Sequence, residues 1–259
     1  NKKKLAYATS LGYAEYKGTD EEKAIASAYL QQFDDISVRE SSGEEICHKS
    51  FGVEAVRRLD PVFLCDIKHY DELASQAKVE TEGEYMLCYI LDPTPEKKEA
   101  VKYLEEKLGL KAKVVLDMKT FNSSKEKWGQ KNVVDNVGIE DFVKLIKDCK
   151  YLFSDSHHGI CFGLIYHKNF ICIANKSRGY TRFESLFNLL KIRNHMVDNA
   201  REIIGNDILL ENIDYKSVDT ILEEEKKSSL EWLTTVLNKE KKENESKNTL
   251  LVKTLNKLH

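Results

Sequence analysis

The stretch Tyr85-Met86-Leu87-Cys88-Tyr89-Ile90-Leu91 decides the fold. Its continuous apolar character fits a strand buried on both faces, where a half-solvated strand would alternate. The helix that follows has both ends written into it. Thr94 is a natural N-cap, Pro95 suits the first helical position, and Gly109 suits the C-cap. Between them Val101, Leu104 and Leu108 share one helical face. Ala112–Leu116 reads as the next strand. Strand, helix and strand at this spacing make a βαβ unit and so a parallel sheet.

The alternation continues downstream. Ile139, Phe142, Val143 and Ile146 outline an amphipathic helix. Strands at Tyr151–Ser154 and Phe170–Ala174 flank a helix at Gly159–Tyr166, and another helix covers Phe183–Leu190. Upstream, strands at Leu5–Thr9, Asp35–Arg39 and Val56–Leu59 are separated by helices at Glu21–Phe33 and Ser42–Ser50. The polar run Asp66–Glu84 reads as an irregular linker. A long helix at Val218–Leu237 presents Leu230, Leu233 and Leu237 on one face, before a charged tail over 239–248. The expected division is an α/β half over 1–65, a linker over 66–84, a Rossmann-like domain over 85–213 and a C-terminal helix with polar tail over 214–259. The first residue is Asn1, and the chain enters an apolar stretch at Leu5, so residues upstream are expected.

Composition narrows the function. Of 259 residues 41% are apolar, ordinary for a globular chain. The net charge of −3 argues against a non-specific nucleic-acid binder, which carries a basic excess. No apolar run reaches the roughly 18 residues a membrane span needs. Six cysteines form no C-x-x-C pair, and four lie in apolar stretches, which fits reduced, buried thiols of a cytoplasmic protein.

Three stretches could carry chemistry. Phe153-Ser154-Asp155-Ser156-His157-His158-Gly159 lies where a buried strand passes into a helix. Ligands of open α/β sheets bind beyond the carboxyl ends of the strands, and a helix N-terminus there attracts an anion. Gly159 would let a ligand approach the backbone, and His158 could exchange a proton near neutral pH. The plainer reading is that Asp155 or Ser156 merely caps the helix. Asn175-Lys176-Ser177-Arg178-Gly179-Tyr180-Thr181-Arg182 offers three cations beside a glycine, suited to a phosphate or carboxylate, or else a solvated loop. Arg39 sits at a helix start, where the dipole disfavours a cation. It would serve a ligand, or form a salt bridge with Glu40 or Glu44.

Together these motifs resemble the polysaccharide pyruvyl transferase family. The resemblance is carried by FDDISVRESSG (33–43), LDPVFL (59–64), FSDSHHGICFGLIYHKNFICI (153–173), NKSRGYTRFESLFNLLKIRN (175–194) and KKSSLEWL (226–233), in that order. It extends roughly from Leu5 to Leu237. The family pattern at the central site is aspartate-serine-aromatic-histidine-glycine, so His158 matches the family histidine and His157 departs from the aromatic.

The resemblance implies a GT-B-like architecture whose first α/β half is incomplete here. It implies transfer of pyruvate from phosphoenolpyruvate to a sugar as a ketal, with no cofactor beyond that donor and no metal. His158 would be the general acid, oriented by Asp155. Arg39, Ser156, Gly159, Lys176, Arg178 and Arg182 would bind the substrate. The acceptor would be a sugar or a lipid-linked saccharide, met at the inner face of the membrane. A GT-B glycosyltransferase using a nucleotide sugar, or a non-catalytic sugar- or phosphate-binding module, would want a similar anion site.

Overall fold

The computed structural model describes residues 2–117, 128, 132–174, 176 and 179–239. The chain divides into two compact units. The first holds residues up to 64, a segment over 178–189 and the chain from 219 onward; the second holds 65–177 and 190–218.

In the first unit β1 (Leu5–Thr9), β2 (Asp35–Val38) and β3 (Val56–Arg57) form a parallel sheet in that order. Helices α1 (Asp20–Leu30) and α2 (Ser41–Phe51) connect them. Helix α1 is started by a complete capping box between Thr19 and Glu22. Helix α2 ends at Gly52, whose φ of +64° is the left-handed cap conformation.

The second unit begins with a departure from the expected linker. Asp66 accepts the Lys68 N–H and starts helix α3, Ile67–Ala74. The polar composition hid it, because only Ala74 is fully buried. Strands β4 (Tyr85–Ile90), β5 (Lys111–Leu116), β6 (Tyr151–Ser154), β7 (Asn169–Ile173) and β8 (Met196–Val197) then form a parallel sheet in the order β5-β4-β6-β7-β8. The α/β reading therefore holds in both units. Helix α4 (Pro95–Leu108) uses the expected caps: Thr94 accepts the Lys97 N–H at 3.3 Å, and Gly109 adopts φ +67°. Such an N-cap contributes about 0.5–2 kcal/mol.

Helix α5 (Ile139–Asp148) buries Val143 and Ile146, but Ile139 is 70% exposed because it opens the helix beyond the packed body. Helix α6 (His157–Ile165) is buried almost throughout. None of the six cysteines is in a disulfide; burial raises the thiols of Cys88 and Cys172 and pushes Cys149 up to about 12.

Helix α7 (Tyr180–Leu190) groups with the first unit, although the sequence division put it with the second domain. Its Ser185 hydroxyl accepts the Ser41 N–H at 3.3 Å. The last helix, α8 (Tyr215–Asn238), corrects the expected face. Leu230 and Leu237 are exposed, and the buried line runs through Val218, Ser229 and Val236. Ser229 broke the apolar pattern, yet its hydroxyl accepts the Leu59 N–H at 3.1 Å. No described helix is long and apolar enough to cross a membrane.

Candidate functional site

The order β5-β4-β6-β7-β8 places a topological switch point between β4 and β6, where open α/β sheets bind ligands. Asp155 stands there, one residue beyond β6 and 2% exposed. Its carboxylate accepts the Leu91 N–H at 2.6 Å, the Asp92 N–H at 3.0 Å and the Lys97 ammonium at 2.6 Å. Lys97 also donates to the Asp92 carbonyl at 2.7 Å. Both oxygens are thus committed to the turn after β4. Asp155 thus clamps two strand ends together.

Ser156 caps α6, accepting the Gly159 N–H at 3.3 Å. Its own N–H donates to Ser154 Oγ, which in turn donates to the Tyr89 carbonyl at 2.7 Å. Gly159 is a packing glycine. A methyl group there would lie 2.7 Å from Ser154 Oγ and 3.0 Å from the Tyr89 ring. The glycine lets helix approach strand, and its N–H donates to the Ser156 hydroxyl.

The two histidines part ways in the first turn of α6. His157 is buried, with Nε2 3.5 Å from Cys161 Sγ, a core position suited to an aromatic ring. His158 is exposed, its ring centroid 5.6 Å from that of His157. It is the titratable group that the strand–helix turn presents to solvent.

On the same edge a cavity of about 540 Å³ is lined by Asp92, Thr94, Lys97, Lys176, Asp198 and Arg201, among others. Its cations are matched by acids. Lys176 faces Asp198 at 3.4 Å, and Arg201 faces Glu96 at 3.2 Å. Lys176 therefore reaches the expected edge as a paired, exposed cation. Arg178 lies outside the described residues. No cluster of three or more potential metal ligands occurs among the described residues.

The remaining candidates belong to the first unit. Arg39 follows β2, donates from Nε to the Ala8 carbonyl at 2.9 Å and pairs through Nη1 with buried Asp60. The salt bridge expected with Glu40 or Glu44 is thus made with Asp60, which the chain brings close through the turn after β3. Arg39 Nη2 has no partner among the described residues. Arg182 donates from Nε to the Gly179 carbonyl at 3.5 Å, and its guanidinium covers Gly179, whose φ is +84°.

Sequence reasoning missed Glu40 and Lys97. Glu40 is fully buried, and its Oε1 accepts from Ser10 Oγ at 3.0 Å and from the Leu11 and Gly12 N–H groups at 2.7 Å each. Lys97 carried a readable signal, since a cation in the first turn of a helix opposes the dipole unless an anion holds it.

Sheet order and clamped strand ends define a parallel α/β protein with an exposed histidine at a helix start beside its switch point. The chain belongs to the polysaccharide pyruvyl transferase family, whose sequence profile matches residues 1–177. No curated protein sequence matches it. Among solved structures it is similar to the wall teichoic acid polymerase TagF, at 12% identity and a TM-score of 0.46 over 97% of this chain. A second TagF structure matches at 15% identity and a TM-score of 0.38 over 84% of this chain. The chain spans 65% and 64% of those two chains.

Proposed function

We propose that the chain belongs to an enzyme that transfers pyruvate from phosphoenolpyruvate to a saccharide as a ketal. The family match over residues 1–177 carries this reading. Exposed His158, at the position of the family histidine, supports it.

The chemistry needs a proton on the donor's methylene carbon. The cationic centre that forms at C2 is attacked by one sugar hydroxyl. A second hydroxyl displaces phosphate and closes the ketal, and the two hydroxyl protons leave to solvent or phosphate. His158 is the proposed acid, because it is an exposed imidazole, the side-chain type best suited to proton exchange in neutral water. Lys176, Arg39, Arg178 and Arg182 are the proposed holders of phosphate and carboxylate. Asp155, Ser156 and Gly159 are proposed to fix the His158 turn through the bonds described above.

The test is transfer from phosphoenolpyruvate to an oligosaccharide, followed as phosphate release and ketal formation by NMR. His158→Ala should lower turnover by about 10²–10⁴ while donor binding changes little. Turnover near wild type would remove His158 as the acid. Calorimetric binding of a nucleotide sugar, with none of phosphoenolpyruvate, would move the protein to the glycosyltransferases.

A further inference from the structure

A second cavity opens at the carboxyl edge of the same sheet, beyond β4 and β5. It measures about 350 Å³, and its lining includes Tyr89, Leu116, Asp117, Asn136, Gly138 and Phe142. The size and the mostly apolar wall with a few polar groups are those of a small-molecule site.

Tyr89 is the one residue of β4 that is not buried, in a strand otherwise closed on both faces. Its ring meets that of Phe142, half-buried on α5, at 4.9 Å between centroids and 60° between planes. Two aromatic rings, inclined to each other, therefore form a floor of the cavity. Ile139, 70% exposed, stands at the first turn of α5 and extends the apolar surface to the rim. Polar groups sit at the ends of the wall: Asp117 directly after β5, and Asn136 held in the left-handed region at φ +54°. The other cavity, with its ion pairs, offers no such floor.

An aromatic face is electron-rich and attracts polarised C–H groups. A pyranose ring presents such C–H groups on one face and hydroxyls around its edge. Those hydroxyls suit a carboxylate and an amide. We infer that the Tyr89–Phe142 cavity is a saccharide subsite, which stacks one sugar ring and takes its hydroxyls at Asp117 and Asn136. The inference rests on the reading of the chain as a saccharide-directed transferase, and it assigns the acceptor to this cavity.

Binding can be read without donor or turnover. Saturation-transfer NMR on the 259-residue chain, with methyl glucopyranoside, galactopyranoside and mannopyranoside as probes, should show transfer concentrated on one face of a bound ring. Tyr89→Leu and Phe142→Leu should each raise the dissociation constant at least about tenfold. Ile139→Asp alters an exposed side chain and so keeps the test intact if an aromatic variant misfolds; it too should weaken binding. Ile208→Asp, at a 63% exposed position outside the cavity, should bind as wild type. The inference is overturned if none of the three glycosides gives saturation transfer. It is equally overturned if the folded cavity variants bind as wild type. Sugar binding lost in these variants while no pyruvate is ever transferred would instead count against the proposed reaction alone.

Discussion

Glu40 and Asp155 do corresponding work in the two units, by different means. Each follows a parallel strand, β2 or β6, and reaches to the turn after a neighbouring strand, β1 or β4. Each accepts two consecutive backbone N–H groups: Leu11 and Gly12 in one unit, Leu91 and Asp92 in the other. Each precedes a helix whose third residue is a glycine packed on the strand just left, Gly43 against Val38 and Gly159 against Ser154. The second unit divides the labour, with Ser156 capping the helix and Asp155 clamping the turn. In the first unit Glu40 occupies the cap position but turns its side chain away, so α2 has no side-chain cap. Asp155 has Lys97 as a buried counter-ion. Glu40 Oε2 has no hydrogen-bond partner among the described residues, since the neighbouring Arg39 pairs with Asp60. Two backbone N–H groups and the Ser10 hydroxyl thus suffice for the clamp in one unit, and an ion pair is added at the switch point of the other.

The largest effect should come from breaking that ion pair. Asp155→Ala strands a buried ammonium and should cost about 3–5 kcal/mol in denaturant unfolding. Lys97→Met combined with Asp155→Leu should recover part of the loss. Unfolding of Asp155→Ala at the wild-type midpoint would end the idea of a clamp.

Glu40→Ala removes the acceptor of three donors and should cost about 1–3 kcal/mol. Glu40→Gln keeps an acceptor oxygen and should cost little. Asp155→Asn also keeps one but leaves the Lys97 ammonium without its opposite charge, so it should lose more than Glu40→Gln. Equal losses, measured in one buffer, would show that the counter-ion does not distinguish the two clamps.

The packing glycines sharpen the comparison. Gly159→Ala meets Ser154 Oγ at 2.7 Å, whereas Gly43→Ala meets Val38 at 3.0 Å or more. The first should lower stability by about 1–3 kcal/mol and the second by less. Thermal melts that reverse the order would locate the tighter helix–strand approach in the first unit.

The smallest expected effect belongs to the second unit alone. Burial lowers the pKa of His195 below its ordinary 6.5. The unfolded chain then binds this proton more readily than the folded one, so its stabilising contribution is present above 6.5 and declines as pH falls below it. His195→Gln should flatten that part of the stability–pH curve. A wild-type slope retained in the variant would assign it to another group.

The two cavities at the carboxyl edge of the second sheet were not legible along the chain. His158 was, because a buried strand running into a helix through polar residues and a histidine is a local pattern. Lys97 and Asp155 are separated by 58 positions, and nothing local announces their bond. Linker 66–84 misled because α3 is mostly polar, and α8 misled because Ser229 stands where an apolar residue was expected.

By itself the sequence determined the alternation of strands and helices, their parallel pairing, the caps of α4 and the family. These follow from side-chain periodicity and backbone preference, which act over one or two turns. Only the tertiary structure decided that Asp155 serves Lys97, that Arg39 serves Asp60, and that Gly159 serves packing. Such bonds depend on which strands lie side by side, and the order β5-β4-β6-β7-β8 is set by the joint burial of the whole sheet.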